Sequence, residues 1–374
     1  MIYTLVLLAS LALILASAEF FTNGVEWLGK KLHLSEGAVG SVLAAVGTAM
    51  PETMIPIIAI LLGRSEAAEE IGIGAILGAP FMLSTLALFI TGLAAMSFKH
   101  EGHYRRFMFI DNHVMSRDLA FFLLVYTLAI GTAFLRNHLL KSIIALALVT
   151  AYSVYLYQTL TRGKKMEESE LAPLYFARRA ADPPTAVVLI QVFLALGGIV
   201  GGARLFVDSV DHLAGLLGIP PFILSLIIAP VATELPEKFN SIIWIRHGKD
   251  TLALGNITGA MVFQSSVIPA LGIALTPWEL NRTAIISAVL ALVSAGLVYL
   301  TLRQKEQLSP GLLVGGGFFY SIFIVAVIAD AVQSYWLYTV IPVAGFLVLG
   351  IVMAYNRRLR LLYGEEPGKQ LTSA

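Results

Sequence analysis

Residues 229–266 read APVATELPEKFNSIIWIRHGKDTLALGNITGAMVFQSS, and the reading of the whole chain turns on them. Glu234 and Glu237 stand three residues apart in an otherwise apolar run, on neighbouring positions of one helix face. Pro236 between them contributes no backbone donor, which predicts a broken or unwound helix at that point. A carboxylate in hydrocarbon is expensive unless something answers its charge, so acids in such a run mark a site.

The surrounding chain has the composition of a housing for that site. Of its 374 residues, 57% are hydrophobic and 13% charged, and the mean hydropathy is +0.82. Apolar runs repeatedly reach about 20 residues, enough to span a bilayer. They are continuous rather than alternating, which excludes a transmembrane β-barrel. This predicts an all-α polytopic membrane protein. With no cysteine, neither disulfides nor thiolate metal sites are available.

The opening MIYTLVLLASLALILASAEFF resembles a secretory signal in its small-residue Ala-Ser-Ala step but lacks a basic n-region, so it is read as the first span, to about Leu28. Further spans are expected near 35–63, 69–97, 117–135, 139–160, 185–216, 219–246, 251–276, 281–302, 310–331 and 335–356, about eleven in all. The longest polar break, 161–184, reads TRGKKMEESELAPLYFARRAADPP and is taken as a cytoplasmic linker between halves. Of the 25 basic residues, 19 fall on one side of this arrangement, among them Lys30, Lys31, Arg105, Arg117, Arg178, Arg179 and Arg357; Arg64, Arg136, Lys141 and Arg282 fall on the other. By the positive-inside rule the N-terminus is outside and the C-terminus cytoplasmic. Arg204 and Lys238 are left within spans.

A shift of 185 residues lays the chain on itself without a gap: Phe21 meets Phe206, Val25 meets Val210, Ala44 meets Ala229, and GTAMPE (47–52) meets ATELPE (232–237). After four extra residues in the first copy, IGAILGA (73–79) lies over LGNITGA (254–260). Each copy holds five spans, and an odd count inverts the second copy in the membrane, an arrangement of secondary transporters. The expected organisation is a first repeat at 1–160, the linker, a second repeat at 185–331, and an extra helix with a basic tail at 335–374.

GTAMPE and ATELPE, each followed by a Gly-rich helix (GAILGAPFMLS and GNITGAMVFQS), resemble the two α-repeats of the calcium/cation antiporter superfamily, across both halves of the chain. The resemblance implies that Glu52 and Glu237 coordinate Ca²⁺ at mid-membrane, and that Thr48 and Thr233 help line the cation sites. It also implies that spans 1 and 6 move against a core of spans 2, 3, 7 and 8. The chain departs from the family pattern where a small hydroxyl residue follows the Thr: here stand Ala49 and Glu234. It departs again on the following helices, with Ala79 and Leu83 in the first copy and Ala260 and Gln264 in the second.

The residues themselves suit such an ion. Ca²⁺ takes six to eight oxygens, charge coming from carboxylates and the remainder from carbonyls, hydroxyls or water. Glu52 and Glu237 supply carboxylates; Glu234, Thr48, Thr233, Gln264, Ser265 and Ser84 add oxygens; Pro51 and Pro236 are expected to free carbonyls. The competing reading is that each Glu pairs with a basic residue to hold the bundle. Glu234 and Lys238 are four apart in the stabilising order. They are either a structural ion pair or a device in which the Lys238 ammonium replaces a monovalent cation. Glu19, Asp208 and Asp211 are read as structural, with Arg204 pairing Asp208.

The function expected is secondary active exchange of Ca²⁺ for Na⁺ or H⁺. Its partners are inorganic cations and the bilayer, with no nucleic acid and no cofactor beyond the transported ions. Two alternatives stay open: a proton-coupled exchanger of another divalent ion, and a non-transporting, exchanger-like binding or sensor protein. Intramembrane enzyme motifs such as HExxH, GxGD or an Asp-rich diphosphate motif are absent from the sequence.

Overall fold

A computed structural model describes residues 2–32, 49–63, 65–100, 102–162, 172–305, 307–331 and 339–363. Nearly all of them are helical. The helices are α1 (Ile2–Lys31), α2 (Met50–Leu62), α3 (Glu66–Ser97), α4 (Asn112–Gly131), α5 (His138–Arg162), α6 (Thr185–Leu217), α7 (Pro221–Arg246), α8 (Asp250–Leu275), α9 (Arg282–Lys305), α10 (Pro310–Val314 and Gly316–Ala331) and α11 (Val340–Tyr363). Among the described residues eight helices are long and apolar enough to cross a bilayer, while Met50–Leu62 and Pro221–Glu234 are shorter apolar runs. The chain is an all-α polytopic membrane protein. In hydrocarbon only helices and closed barrels satisfy every backbone group.

Two details depart from the expected spans. Helix α7 is continuous through Pro236, where a break was expected. A proline removes a single donor, and buried segments tolerate it when the flanking turns keep their bonds. Its local effect is that the Ala232 carbonyl has no N–H four residues ahead. Pro51 lies in the first turn of α2, where an N–H has no intrahelical acceptor anyway, so it frees no described carbonyl. Helix α3 contains a π turn at Leu83–Ala87, just after Pro80.

The chain forms two compact units. The first collects Met1–Ala79, Leu128–Glu234 and Phe263–Leu280; the second collects Pro80–Thr127, Leu235–Val262 and Asn281–Ala374. Each unit takes segments from both halves of the sequence, and the chain passes from one to the other inside α3, α4, α7 and α8 and again between α8 and α9.

In the first unit a continuous core gathers Leu7, Leu11 and Ile14 of α1, Ile55 and Ile58 of α2, Ile71 and Ala75 of α3, and Phe206, Val207 and Val210 of α6. Here α3 crosses α7 with backbones in close approach. A methyl group on Gly74 or Gly78 would stand 2.4 Å from the Phe222 carbonyl oxygen or 2.2 Å from that of Leu226. Small residues at such a crossing are how membrane helices gain contact without a hydrophobic drive between them. Ser225 adds a hydrogen bond to the Ile71 carbonyl at 2.7 Å.

In the second unit Phe81 packs on Tyr320 and Phe323. Gly92 lies against the Pro310 carbonyl, and α11 is seated through Tyr355 and Leu359 on Met96 and Val314.

Candidate functional site

In the first unit, Glu52 lies in the first turn of α2 and is buried, with Ala49 as the N-cap residue. A helix start carries partial positive charge from its unbonded N–H groups, and this stabilises an acid placed there. The preceding Thr48 lies outside the described residues.

Thr233 and Glu234 occupy the same unit on α7, 2% and 1% exposed. The Thr233 hydroxyl donates to the Ala229 carbonyl at 3.0 Å, which leaves its own oxygen able to accept or to ligate. Gln264 of α8, 2% exposed, donates its amide N–H to Glu234 Oε1 at 3.0 Å. The Gln264 Oε1 is buried and accepts no hydrogen bond among the described residues. An unanswered buried acceptor costs about 1–3 kcal/mol, a burden that a cation would remove.

Of the other expected site residues, Lys238 is buried on α7 in the second unit. The Glu237 side chain lies outside the described residues, although its backbone continues α7. Ser84 is buried in the π turn of α3, donates to the Pro80 carbonyl, and through its own carbonyl accepts from Ser294 at 2.6 Å. Ser265 is buried on α8. Arg204 and Asp208 are both exposed on α6, and no ion pair joins them among the described residues. Glu19 accepts instead from the Tyr175 hydroxyl. Among the described residues no three His, Asp or Glu side chains gather as a metal centre.

Two buried charge clusters of the second unit went unread in the sequence. Asp118, 2% exposed on α4, accepts from the Thr258 hydroxyl at 2.9 Å and from Arg117 Nη2 at 2.9 Å. Arg105 and Asp250, both buried, approach to 3.6 Å. Arg105 also donates to the Ile245 carbonyl, and Asp250 accepts from the Phe109 amide. Counting Arg105 and Arg117 only as topological charges hid both clusters. An acid beside an arginine at the mouth of an apolar helix is the feature that would have shown the first.

Buried carboxylates, amides and hydroxyls inside apolar spanning helices mark a functional site of a polytopic membrane protein. The family described as sodium/calcium exchanger protein matches residues 2–161 and 187–329, and the chain belongs to it. The protein CaxA of Alkalimonas amylolytica is 24% identical over 340 residues, covering 86% of this chain and 99% of that one. The inner membrane protein YrbG of Escherichia coli (strain K12) is 26% identical over 321 residues, covering 84% and 94%. Among solved structures, the H⁺/Ca²⁺ exchanger CAX superposes with a TM-score of 0.66 at 16% identity, covering 97% of this chain and 92% of that one. This is a likeness of fold.

Proposed function

We propose that this protein is a secondary active antiporter exchanging Ca²⁺ for Na⁺ or H⁺ by alternating access. Glu52, Glu237, Glu234, Thr48, Thr233 and Gln264 provide the oxygens around the divalent ion, and Lys238 is the charge partner. The observation that carries this reading is the Gln264 amide: one end is fixed on Glu234, and the other presents a buried acceptor that takes no hydrogen bond among the described residues. A ligand held by its neighbour on one side and turned to a cation on the other is preorganised, so little side-chain entropy is lost on binding. Membership of the sodium/calcium exchanger family supports Ca²⁺ as the divalent ion. The topology that goes with it has about eleven spans, two inverted five-helix repeats and the extra helix α11, with the N-terminus outside.

Buried Lys238 favours the proton-coupled form of this reading. Four residues after Glu234, its ammonium is a tethered positive charge where a monovalent ion would otherwise be needed, which weakens dependence on Na⁺. The test is uptake of radiolabelled Ca²⁺ into proteoliposomes under imposed Na⁺ or pH gradients. Wild type is expected to exchange, with weak Na⁺ dependence. Glu234→Ser combined with Lys238→Ala is expected to gain Na⁺ dependence. No gradient-driven uptake by wild type would refute the antiporter; equal, steep Na⁺ dependence in both proteins would reduce Lys238 to a structural partner.

A further inference from the structure

The described end of the linker, 172–184, is bound into the first unit by an array of directional contacts. Asn23 of α1 and Gln191 of α6 are both buried, and Gln191 Nε2 donates to Asn23 Oδ1 at 3.0 Å and to the Phe20 carbonyl at 2.9 Å. The same two amides read the linker backbone. Asn23 Oδ1 accepts from the Tyr175 N–H at 3.1 Å, and Gln191 Oε1 accepts from the Phe176 N–H at 2.9 Å. Asn23 Nδ2 reaches the Ala172 and Pro173 carbonyls at 3.4 Å, and Trp27 Nε1 donates to the Ala172 carbonyl at 2.9 Å. Leu174 is fully buried between Trp27 and Val188, Phe20 packs on the rings of Tyr175 and Phe176, and Lys31 pairs with Asp182.

Helices α1 and α6 are also interlocked directly. A methyl on Gly24 would stand 2.8 Å from Val192 Cγ2. On Gly198 it would meet the Ser17 hydroxyl at 2.2 Å, and on Gly202 it would meet Ile14 Cγ1 at 2.7 Å. The contacts of this pair with its other neighbours are of a different kind. Towards α2 and α3 they are aliphatic and aromatic side chains, and towards α7 an apolar crevice of about 500 Å³ separates Leu8 and Leu15 from Ile227 and Val231. Apolar contact is non-directional and tolerates sliding; hydrogen bonds at 2.9–3.1 Å fix register.

We infer that segment 172–176 is a clamp that fastens α1 to α6 as one body, and that Asn23 and Gln191 are the positioning residues that hold it. In transport, the clamp makes both helices move together, so that an opening on one side is coupled to closure on the other. That consequence rests on the alternating-access reading above, whereas the docking of the segment does not.

The experiment has two arms. In the first, hydrogen–deuterium exchange of the purified full chain reads the Tyr175 and Phe176 amides. They are expected to be protected in wild type and released in Asn23→Ala/Gln191→Leu; protection retained in that variant would overturn the assignment of the two amides. In the second, Asn23→Cys/Tyr175→Cys is placed in the naturally cysteine-free chain. Asn23 Oδ1 accepts from the Tyr175 amide, so the two positions are neighbours, and formation of the disulfide is verified by mass before rates are compared. Reduced, the variant is expected to turn over about tenfold more slowly than wild type in Ca²⁺ uptake, the loss expected of one buried hydrogen-bonded node, with half-saturating Ca²⁺ unchanged. Oxidised, the same molecules are expected to recover. Equal rates in the two redox states, in a preparation that is monodisperse, still exchanges Ca²⁺ when reduced and is shown by mass to be fully disulfide-bonded when oxidised, would overturn the clamp's role in transport. Wild-type liposomes separate the readings: if they show no uptake at all, the antiporter reading fails, and the amide-protection arm still decides the clamp.

Discussion

Gly78→Ala is expected to destabilise the protein, while Gly259→Ala, the equivalent change in the second copy of the motif, is not. An ideal Cβ on Gly78 would lie 2.2 Å from the Leu226 carbonyl oxygen and 2.7 Å from Pro230 Cγ. A carbon–oxygen contact settles near about 3.3–3.6 Å, so the α3–α7 crossing must open by roughly 1 Å. The obstacle is backbone, which no rotamer change removes. Overpacking of this kind costs about 1–3 kcal/mol. Opening the crossing also strains the Ser225 bond to Ile71, worth about 1 kcal/mol. The better helix propensity of alanine returns about 1 kcal/mol. The net loss is therefore about 1–3 kcal/mol. At Gly259 no atom of the described residues lies within 4 Å of the added methyl, so the propensity gain of up to about 1 kcal/mol is what remains. The assay is the midpoint of thermal unfolding in detergent, followed by the monodisperse fraction. A Gly78→Ala midpoint at or above wild type, or a Gly259→Ala drop equal to that of Gly78→Ala, would refute the close-packed crossing.

Three other outcomes are expected. Glu52→Gln keeps the size of a buried side chain in the first turn of α2 and should abolish Ca²⁺ exchange while the protein stays folded; wild-type exchange would remove Glu52 from the site. Gln264→Leu loses a hydrogen bond to a buried carboxylate, about 1.5–3 kcal/mol, and should raise half-saturating Ca²⁺ between about ten- and a hundredfold; an unchanged value would make Gln264 a packing residue. Asp182, exposed in the linker, has its carboxyl held below the usual range by its hydrogen bond to Lys31. Its contribution to linker docking is therefore complete above the ordinary carboxylate range and lost as pH falls through the lowered value. Amide protection around residue 182 should weaken in acid for wild type and be insensitive to pH for Asp182→Asn.

The helices were legible because hydrocarbon leaves the backbone few choices: runs of about 20 apolar residues read directly as spans. Their interruptions were less so. Pro236 looked like a break, since a proline in water usually ends a helix, yet α7 runs through it and the loss is confined to one donor. The linker looked like a spacer from its charge and prolines. Its bound end is held mainly through backbone groups that Asn23 and Gln191 read, and backbone recognition leaves little trace in side-chain chemistry. Asp118 and the Arg105–Asp250 pair were hidden for a related reason. A charge near a span end is read as solvated, and only the packing of Thr258 on Asp118, or of Ile245 and Phe109 on the pair, shows otherwise.

The two motif copies are alike in letters and unlike in use, and the difference follows from where each lies in its helix. Glu52 stands in a first turn, where unbonded N–H groups and the helix dipole already favour negative charge. Glu234 lies well inside α7, where every nearby N–H is committed to the ladder and the dipole gives no help. A buried acid there needs a side-chain donor, and Gln264 is that donor. In the first copy the position matching Glu234 is Ala49 and the position matching Gln264 is Leu83, fully buried in the π turn: where the mid-helix acid is absent, so is the amide. The second copy's added polar residues are thus the local answer to an acid placed mid-helix. The glycine pairs diverge in the same way, Gly74 and Gly78 being closed on by backbone while no atom of the described residues comes within 4 Å of a methyl on Gly255 or Gly259. Exchanging the motifs between copies should therefore fail even where the letters match. Gln264→Leu removes a donor that the mid-helix Glu234 carboxylate uses, whereas Leu83→Gln places an amide in a fully buried π turn whose matching motif position carries Ala49 instead of an acid.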